Sequence, residues 1–142
     1  MKTRLGGWAA LILAIAGAVR AQPQPPQPDP VGANLFPPEL VMQHQQAIGL
    51  GEDQREYLKV EIRQAQPRFT ELQWKLEDEM EKMAGLLKPA RVEEAQMLAQ
   101  LDKVLALERE IKRTQLTLLA RIKNKLTPEQ QARLEEIKKT WK

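Results

Sequence analysis

The side chains that most often serve as catalytic nucleophiles are scarce in this chain. It contains one histidine, no cysteine and no serine. It also lacks a glycine-rich phosphate loop and the Gly-x-Ser-x-Gly turn of serine hydrolases. We therefore predict that the protein is not an enzyme and needs no cofactor.

Metal binding is the other chemistry to consider, and one stretch offers ligands for a soft metal. Met42 and His44 lie two positions apart, which places them on different sides of a helix. A site would need further ligands. The available ones are Glu39, Met80, Met83 and Met97. Because Met80 and Met83 fit an apolar helix seam, core packing is their expected role. We predict no metal site, with His44 and Met42 as the only candidates.

The charged residues form an acidic and a basic segment. Residues 77–82 read EDEMEK, which is typical of a solvated helix face. Basic residues recur among leucines between Arg109 and Lys125. Such a surface suits an unfolded or acidic polypeptide, and the acidic helix of a second copy would suit it equally well.

The N-terminus has the pattern of an export signal. Lys2 and Arg4 precede an apolar run over residues 5–19, and Val19 and Ala21 fit a signal-peptidase site with cleavage after Ala21. The run is short for a membrane span, although a retained anchor is the alternative. Removing residues 1–21 takes three of the 22 basic residues and leaves 19, equal to the 19 acidic ones. The basic pI therefore does not indicate nucleic-acid binding.

Residues 22–36 are rich in proline, a composition that favours an extended, disordered tether. A spacer is the expected role, and docking to a partner is the alternative. The remaining residues, 37–142, are predicted to form one helical domain.

The pattern of that domain predicts an all-α fold of four helices, over residues 38–48, 52–87, 92–125 and 128–140. Apolar residues of the second helix keep their phase across Pro67, which predicts a bend there instead of a break. The turn at residues 86–91 makes the two long helices a kinked hairpin.

The third helix has more apolar surface than a hairpin needs. Its apolar residues span about half of the helix circumference, whereas a hairpin seam needs about 100°. The excess must meet the short helices, a second copy or a bound partner, and we expect a dimer. Trp74, which lies off the seam of the second helix, marks either a dimer contact or an adhesive patch. The candidate client or dimer surface consists of Trp74, Leu98, Leu105, Lys112, Arg113, Leu116 and Leu119.

The N-termini of two predicted helices share the same residue pattern. Thr127 is predicted to be an N-cap, with Pro128 at the first helical position and Gln130 completing a capping box. Leu50 and Gln54 repeat the spacing of Leu126 and Gln130. In this earlier copy Gly51 stands in place of the threonine.

These features together resemble the Spy/CpxP family over about residues 36–140. Its LTxxQ motif is matched in full by Leu126, Thr127 and Gln130. The first copy matches at Leu50 and Gln54 and departs at Gly51.

The resemblance implies a periplasmic protein that forms a cradle-like antiparallel dimer. It implies an ATP-independent chaperone that binds unfolded envelope proteins. The alternative that it implies is a heavy-metal sensor or regulator acting on a membrane signalling partner. Metal-sensing members carry several histidines, whereas this chain has His44 alone.

Overall fold

The computed structural model describes residues 29–141, and the predicted export signal lies outside them. A 3-10 helix, Gly32–Asn34, precedes four α-helices. These are α1 (Pro38–Gln43), α2 (Glu52–Leu87), α3 (Glu94–Lys125) and α4 (Pro128–Lys138). No strand occurs in residues 29–141. The predicted all-α fold of four helices is therefore confirmed.

The two long helices form an antiparallel hairpin. Gln54 near the start of α2 reaches Lys125 at the end of α3, whereas Glu79 meets Gln100 near the closed end. At 1.5 Å per residue, the 36 residues of α2 extend about 54 Å. The helix continues through Pro67 without interruption. In the described part of the chain, no helix combines the length and apolar character that crossing a membrane requires.

The hydrophobic core lies at the open end of the hairpin, which we call the head. There α1 and α4 pack against the start of α2 and the end of α3. Its buried residues are Phe36, Leu40, Val41, Ile48, Leu50, Leu58, Ile122, Leu126 and Leu134.

The rest of the hairpin, residues 70–110, is a thin two-helix arm. Within it only Leu72, Gln100 and Val104 are buried. Because two helices alone bury one stripe each, large apolar side chains of the arm stay exposed.

The first helix is shorter than predicted. It ends at Gln43, and residues 44–49 form turns. Gly49 adopts the left-handed conformation with φ +65. The Leu50 N–H donates to the Gln45 carbonyl at 2.8 Å and the Gly49 N–H to the Gln46 carbonyl at 3.1 Å, the pattern of a glycine-terminated helix end. The other corrections are small: α3 begins at Glu94 and α4 ends at Lys138.

The sequence predicts that residues 29–36 belong to the disordered tether, and the structure shows instead that they pack against the head. The Phe36 ring is buried in the head. The Lys138 ammonium donates to the carbonyls of Gly32 and Leu35, both at 2.8 Å, and Lys123 donates to the Asn34 carbonyl at 2.7 Å. Two lysines of α3 and α4 therefore hold this segment, and residues 22–28 lie outside the described part of the chain.

Two glycine substitutions are expected to change stability in opposite directions. Gly49→Ala should destabilise the protein by about 1 kcal/mol, because alanine is strained at a positive φ. Gly85→Ala, in exposed helix where an added Cβ meets nothing within 4 Å, should stabilise it by about 0.5–1 kcal/mol. Urea unfolding followed by circular dichroism measures both. Equal shifts in the two variants would contradict the assigned backbone conformations.

Candidate binding surface and helix clasp

The two repeated motifs meet in the head through their glutamines. The Gln54 Nε2 donates to the Gln130 Oε1 at 2.8 Å, and the Gln130 Nε2 donates to the Gln54 Oε1 at 2.9 Å. We call this reciprocal amide pair the glutamine clasp. It joins the first turn of α2 to the first turn of α4, although the two residues are 76 positions apart.

Each glutamine of the clasp also caps its own helix. The Gly51 N–H donates to the Gln54 Oε1, and the Thr127 N–H donates to the Gln130 Oε1, both at 2.9 Å. The Thr127 Oγ1 accepts the Gln130 N–H at 3.2 Å, which completes the predicted capping box of α4. Gly51 has no side chain, so the start of α2 has only the glutamine half of the box.

The remaining amide protons of the clasp reach the opposite segment. The Gln54 Nε2 donates to the Lys125 carbonyl at 2.8 Å, and the Gln130 Nε2 donates to the Gly49 carbonyl at 3.1 Å. Both donors and the acceptor oxygen of each side chain are thus paired. A fully satisfied, half-buried polar network fixes the geometry of the elements it joins. The repeated motif is therefore a device that positions α4.

The exposed apolar residues of α3 lie along one side of the arm. Leu98, Leu101 and Leu105, which we call the leucine stripe, are 45%, 37% and 49% exposed. At about 100° per residue, the three lie within about 60° of one another. Exposed large side chains in one line form a contact surface, and the other residues of the described range 29–141 leave it uncovered.

The same side of α3 continues from the stripe towards the head. Lys112 is exposed there, and Leu116 and Leu119 are half-buried. Leu119 lines a groove of about 510 Å³ together with Ile62 and Phe69 of α2. Gly32 and Leu35 of the N-terminal segment also line this groove. Five of the predicted surface residues therefore share one side of α3: Leu98, Leu105, Lys112, Leu116 and Leu119.

Two predicted surface residues lie elsewhere. Trp74 is 68% exposed and lines a shallow groove with Arg63 and Pro67 on the side of α2 that faces away from α3. Arg113 lines a different, polar groove beside the ion pair of Arg121 and Glu61, whose atoms are 2.8 Å apart. The seven predicted surface residues therefore lie on three different faces of the hairpin.

The metal candidates do not converge in the structure. The His44 ring makes a 2.8 Å hydrogen bond through Nδ1 to the Leu40 carbonyl, and Met42 packs half-buried against the head. Among residues 29–141, no three His, Cys, Asp or Glu side chains lie close enough to hold a metal ion together. Met80, predicted to be core, is instead 49% exposed, because within residues 29–141 no third element covers the arm.

A polar contact that the sequence did not predict joins the helices of the arm. The buried Gln100 Nε2 donates to the Glu79 Oε2 at 2.6 Å and to the Glu79 carbonyl at 2.8 Å. The hydrogen bond from Lys82 and then the one from Gln100 lower the pKa of the Glu79 carboxyl. Gln100 occupies a heptad-like core position, which is the only sequence signal for its burial.

The lowered pKa of Glu79 predicts an acid sensitivity of the protein. The ionised Glu79 carboxylate stabilises the folded protein fully at a pH above its unfolded-state pKa of about 4.3. This contribution is lost as the pH falls through the lower pKa of the folded state. In Glu79→Gln, the free energy of unfolding should fall less between pH 7 and pH 3 than in the wild type. Urea unfolding at both pH values measures this, with the outward-facing Glu77→Gln as the control. An unchanged pH dependence in Glu79→Gln would contradict the contact.

Comparisons of this chain with protein-family models, curated proteins and solved structures found no match.

Proposed function

We propose that this protein is an exported, ATP-independent chaperone that binds unfolded polypeptide through the leucine stripe. The observation that supports this most directly is the exposure of Leu98, Leu101 and Leu105 on a side of the arm that no other element of residues 29–141 covers. The proposal agrees with the resemblance to the Spy/CpxP family.

The arm suits weak binding to many sequences. Its backbone hydrogen bonds are satisfied within the helices, so a client gains side-chain contacts only. Glu108, Arg109 and Lys112 are exposed next to the leucines, which adds charge to the apolar surface. Surfaces that combine apolar and charged side chains without a fixed pocket accept varied partners and release them.

The location and the assembly are parts of the same proposal. The export signal at residues 1–21 supports a periplasmic location, and N-terminal sequencing of the protein from an envelope extract tests cleavage after Ala21. A homodimer is proposed because the thin arm leaves apolar surface on each copy. Analytical ultracentrifugation at micromolar concentration measures it.

Replacing the leucine stripe with glutamine is expected to remove the chaperone activity. In Leu98→Gln/Leu101→Gln/Leu105→Gln, the concentration needed to suppress aggregation of a denatured test enzyme should rise at least about tenfold. Three buried leucine contacts of even about 0.5–1 kcal/mol each would give this change. Light scattering without nucleotide is the measurement.

A matched control uses apolar residues on the outward side of α2. Val60→Gln/Trp74→Gln removes exposed apolar area of similar size, since the two side chains are 46% and 68% exposed. It should suppress aggregation like the wild type. An equal loss of aggregation suppression in both variants would show that client binding needs no particular apolar surface. Absence of suppression by the wild type would reject the function.

A further inference from the structure

An apolar groove lies where the N-terminal segment packs against the two long helices, and its volume is about 510 Å³. Its apolar lining, which we call the groove floor, consists of half-buried side chains from all three walls: Leu35, Ile62, Phe69, Ile111, Leu118 and Leu119. Binding sites for small molecules have volumes of about 300–1,000 Å³ and are mostly apolar, with a few polar groups that orient the ligand. The groove therefore has the size and the lining of a small-molecule site.

The wall that the N-terminal segment contributes is fixed in place by α4. The Lys138 ammonium donates to the Gly32 and Leu35 carbonyls, both at 2.8 Å. Phe36, the residue after Leu35, is buried in the head. A site that already has its binding shape loses less free energy to ordering when a ligand enters. The groove is thus formed before any ligand binds.

The rim of the groove carries neutral amides and one carboxylate. Gln66 and Gln73 of α2 and Gln115 of α3 line the groove, and all three are exposed. Glu39, in the first turn of α1, is the one charged side chain among the described lining residues. Because α1 belongs to the head, this carboxylate lies at the head end of the groove.

The neighbouring charges leave Glu39 without a cation. Within residues 29–141, Glu39 forms no ion pair. Asp29, on the same wall as Gly32, has Lys112 and Lys138 near enough to act on its charge. Lys112 also approaches the Gln115 Oε1, at 3.5 Å. A ligand group at the head end of the groove therefore meets a carboxylate whose charge is not balanced by a salt bridge.

We propose that this groove binds a small amphiphile with an apolar body and one cationic nitrogen, of the class of long-chain amines and quaternary ammonium compounds. The apolar body lies on the groove floor, and the nitrogen lies beside Glu39. Ile62 and Gln73, which line the groove on α2, are eleven positions apart, about 16 Å at 1.5 Å per residue, so a single alkyl chain has room along it. An anionic head group would lie beside the unpaired carboxylate and bind less well.

This site is separate from the leucine stripe, and the proposal does not rest on the chaperone function. Its ligand is a small molecule, and none of Leu98, Leu101 and Leu105 lines the groove.

Three detergents that share a dodecyl tail test the charge of the ligand. Below their critical micelle concentrations, dodecyltrimethylammonium should bind at least about threefold more tightly than uncharged dodecyl maltoside, and dodecyl sulfate should bind more weakly than both. The factor is small because Glu39 is exposed and an exposed ion pair contributes little. Titration calorimetry measures the three affinities. Absent binding of dodecyltrimethylammonium, or equal or tighter binding of dodecyl sulfate, would overturn the proposal.

Substitution of Glu39 tests its role as the counter-ion. Glu39→Gln should remove the preference for dodecyltrimethylammonium and leave the affinity for dodecyl maltoside unchanged, whereas Glu39→Asp should keep the preference. Glu77→Gln, an outward-facing carboxylate of the arm, is the matched control and should bind like the wild type. Circular dichroism checks that each variant is folded. Equal loss of the preference in Glu39→Gln and Glu77→Gln would indicate an effect of net charge and would overturn the assignment.

Methyl NMR spectra test the position of the ligand. Dodecyltrimethylammonium should shift the methyl signals of the groove floor and leave those of the leucine stripe in place. The variant Leu98→Gln/Leu101→Gln/Leu105→Gln should bind dodecyltrimethylammonium with the affinity of the wild type. Shifts confined to the stripe, or loss of binding in this variant, would overturn the groove site. Absence of aggregation suppression by the wild type would reject the chaperone function and leave the groove site standing.

Discussion

Replacing Gln130 with alanine is expected to destabilise the protein by about 2–4 kcal/mol. The substitution removes the acceptor for the Thr127 N–H and the donor to the Gly49 carbonyl, and it leaves the Gln54 amide without its partner. Gln130 is only 7% exposed, so water replaces these hydrogen bonds poorly. Leaving buried polar groups unpaired costs about 1–3 kcal/mol per group. Urea unfolding followed by circular dichroism measures the change.

A double-mutant cycle isolates the clasp from the two helix caps. Gln54→Ala and Gln130→Ala each remove one cap, and the double variant should be about 1 kcal/mol or more less destabilised than the sum of the two. Gln64→Ala, an exposed glutamine of α2, should change stability by less than about 0.5 kcal/mol. Additivity of Gln54→Ala and Gln130→Ala would show that the two glutamines act separately.

The variant Phe36→Ala is expected to destabilise the protein by about 3–5 kcal/mol. The ring is 1% exposed and packs in the head core, and the Lys123 and Lys138 ammonium groups lie 6.0 and 5.7 Å from its centroid. Truncation of a buried phenylalanine removes its transfer free energy and leaves a cavity. The loss of cation–π contact adds to the effect. Chemical unfolding measures it.

Val31, in the same N-terminal segment, supplies the control for Phe36→Ala. Val31 is 53% exposed in the same segment, and Val31→Ala should change stability by less than about 0.5 kcal/mol. A change below about 1 kcal/mol in Phe36→Ala would mean that the segment does not contribute to the head core. In that case the folded part of the chain would begin after Pro38, and the residues before it would belong to the predicted tether.

The sequence predicted the helices well, because their signals are local. The cap at Thr127 and Pro128 placed the start of α4, and residues 52–87 were predicted with the bounds that α2 has. The periodicity of Leu58, Leu72 and Val104 predicted side chains that are buried. It also predicted more apolar surface on α3 than the hairpin covers. Caps and periodicity act within a few residues, so they can be read along the chain.

The contacts between distant segments were decided by the tertiary structure. The sequence predicted two capping glutamines, but their reciprocal bond joins residues 76 apart and depends on how α4 folds back. Proline content predicted a tether over residues 22–36, whereas the Phe36 ring and the Lys138 ammonium group anchor residues 29–36 to the head. The sequence placed Leu98, Leu105 and Trp74 in one candidate surface, yet Trp74 lies on a different side of the hairpin from the two leucines. The signals that begin and end a helix depend on residues close together in the chain. The glutamine clasp, the anchored N-terminal segment and the exposed surfaces depend on which helices pack together. The spacing of residues along the chain does not specify this packing.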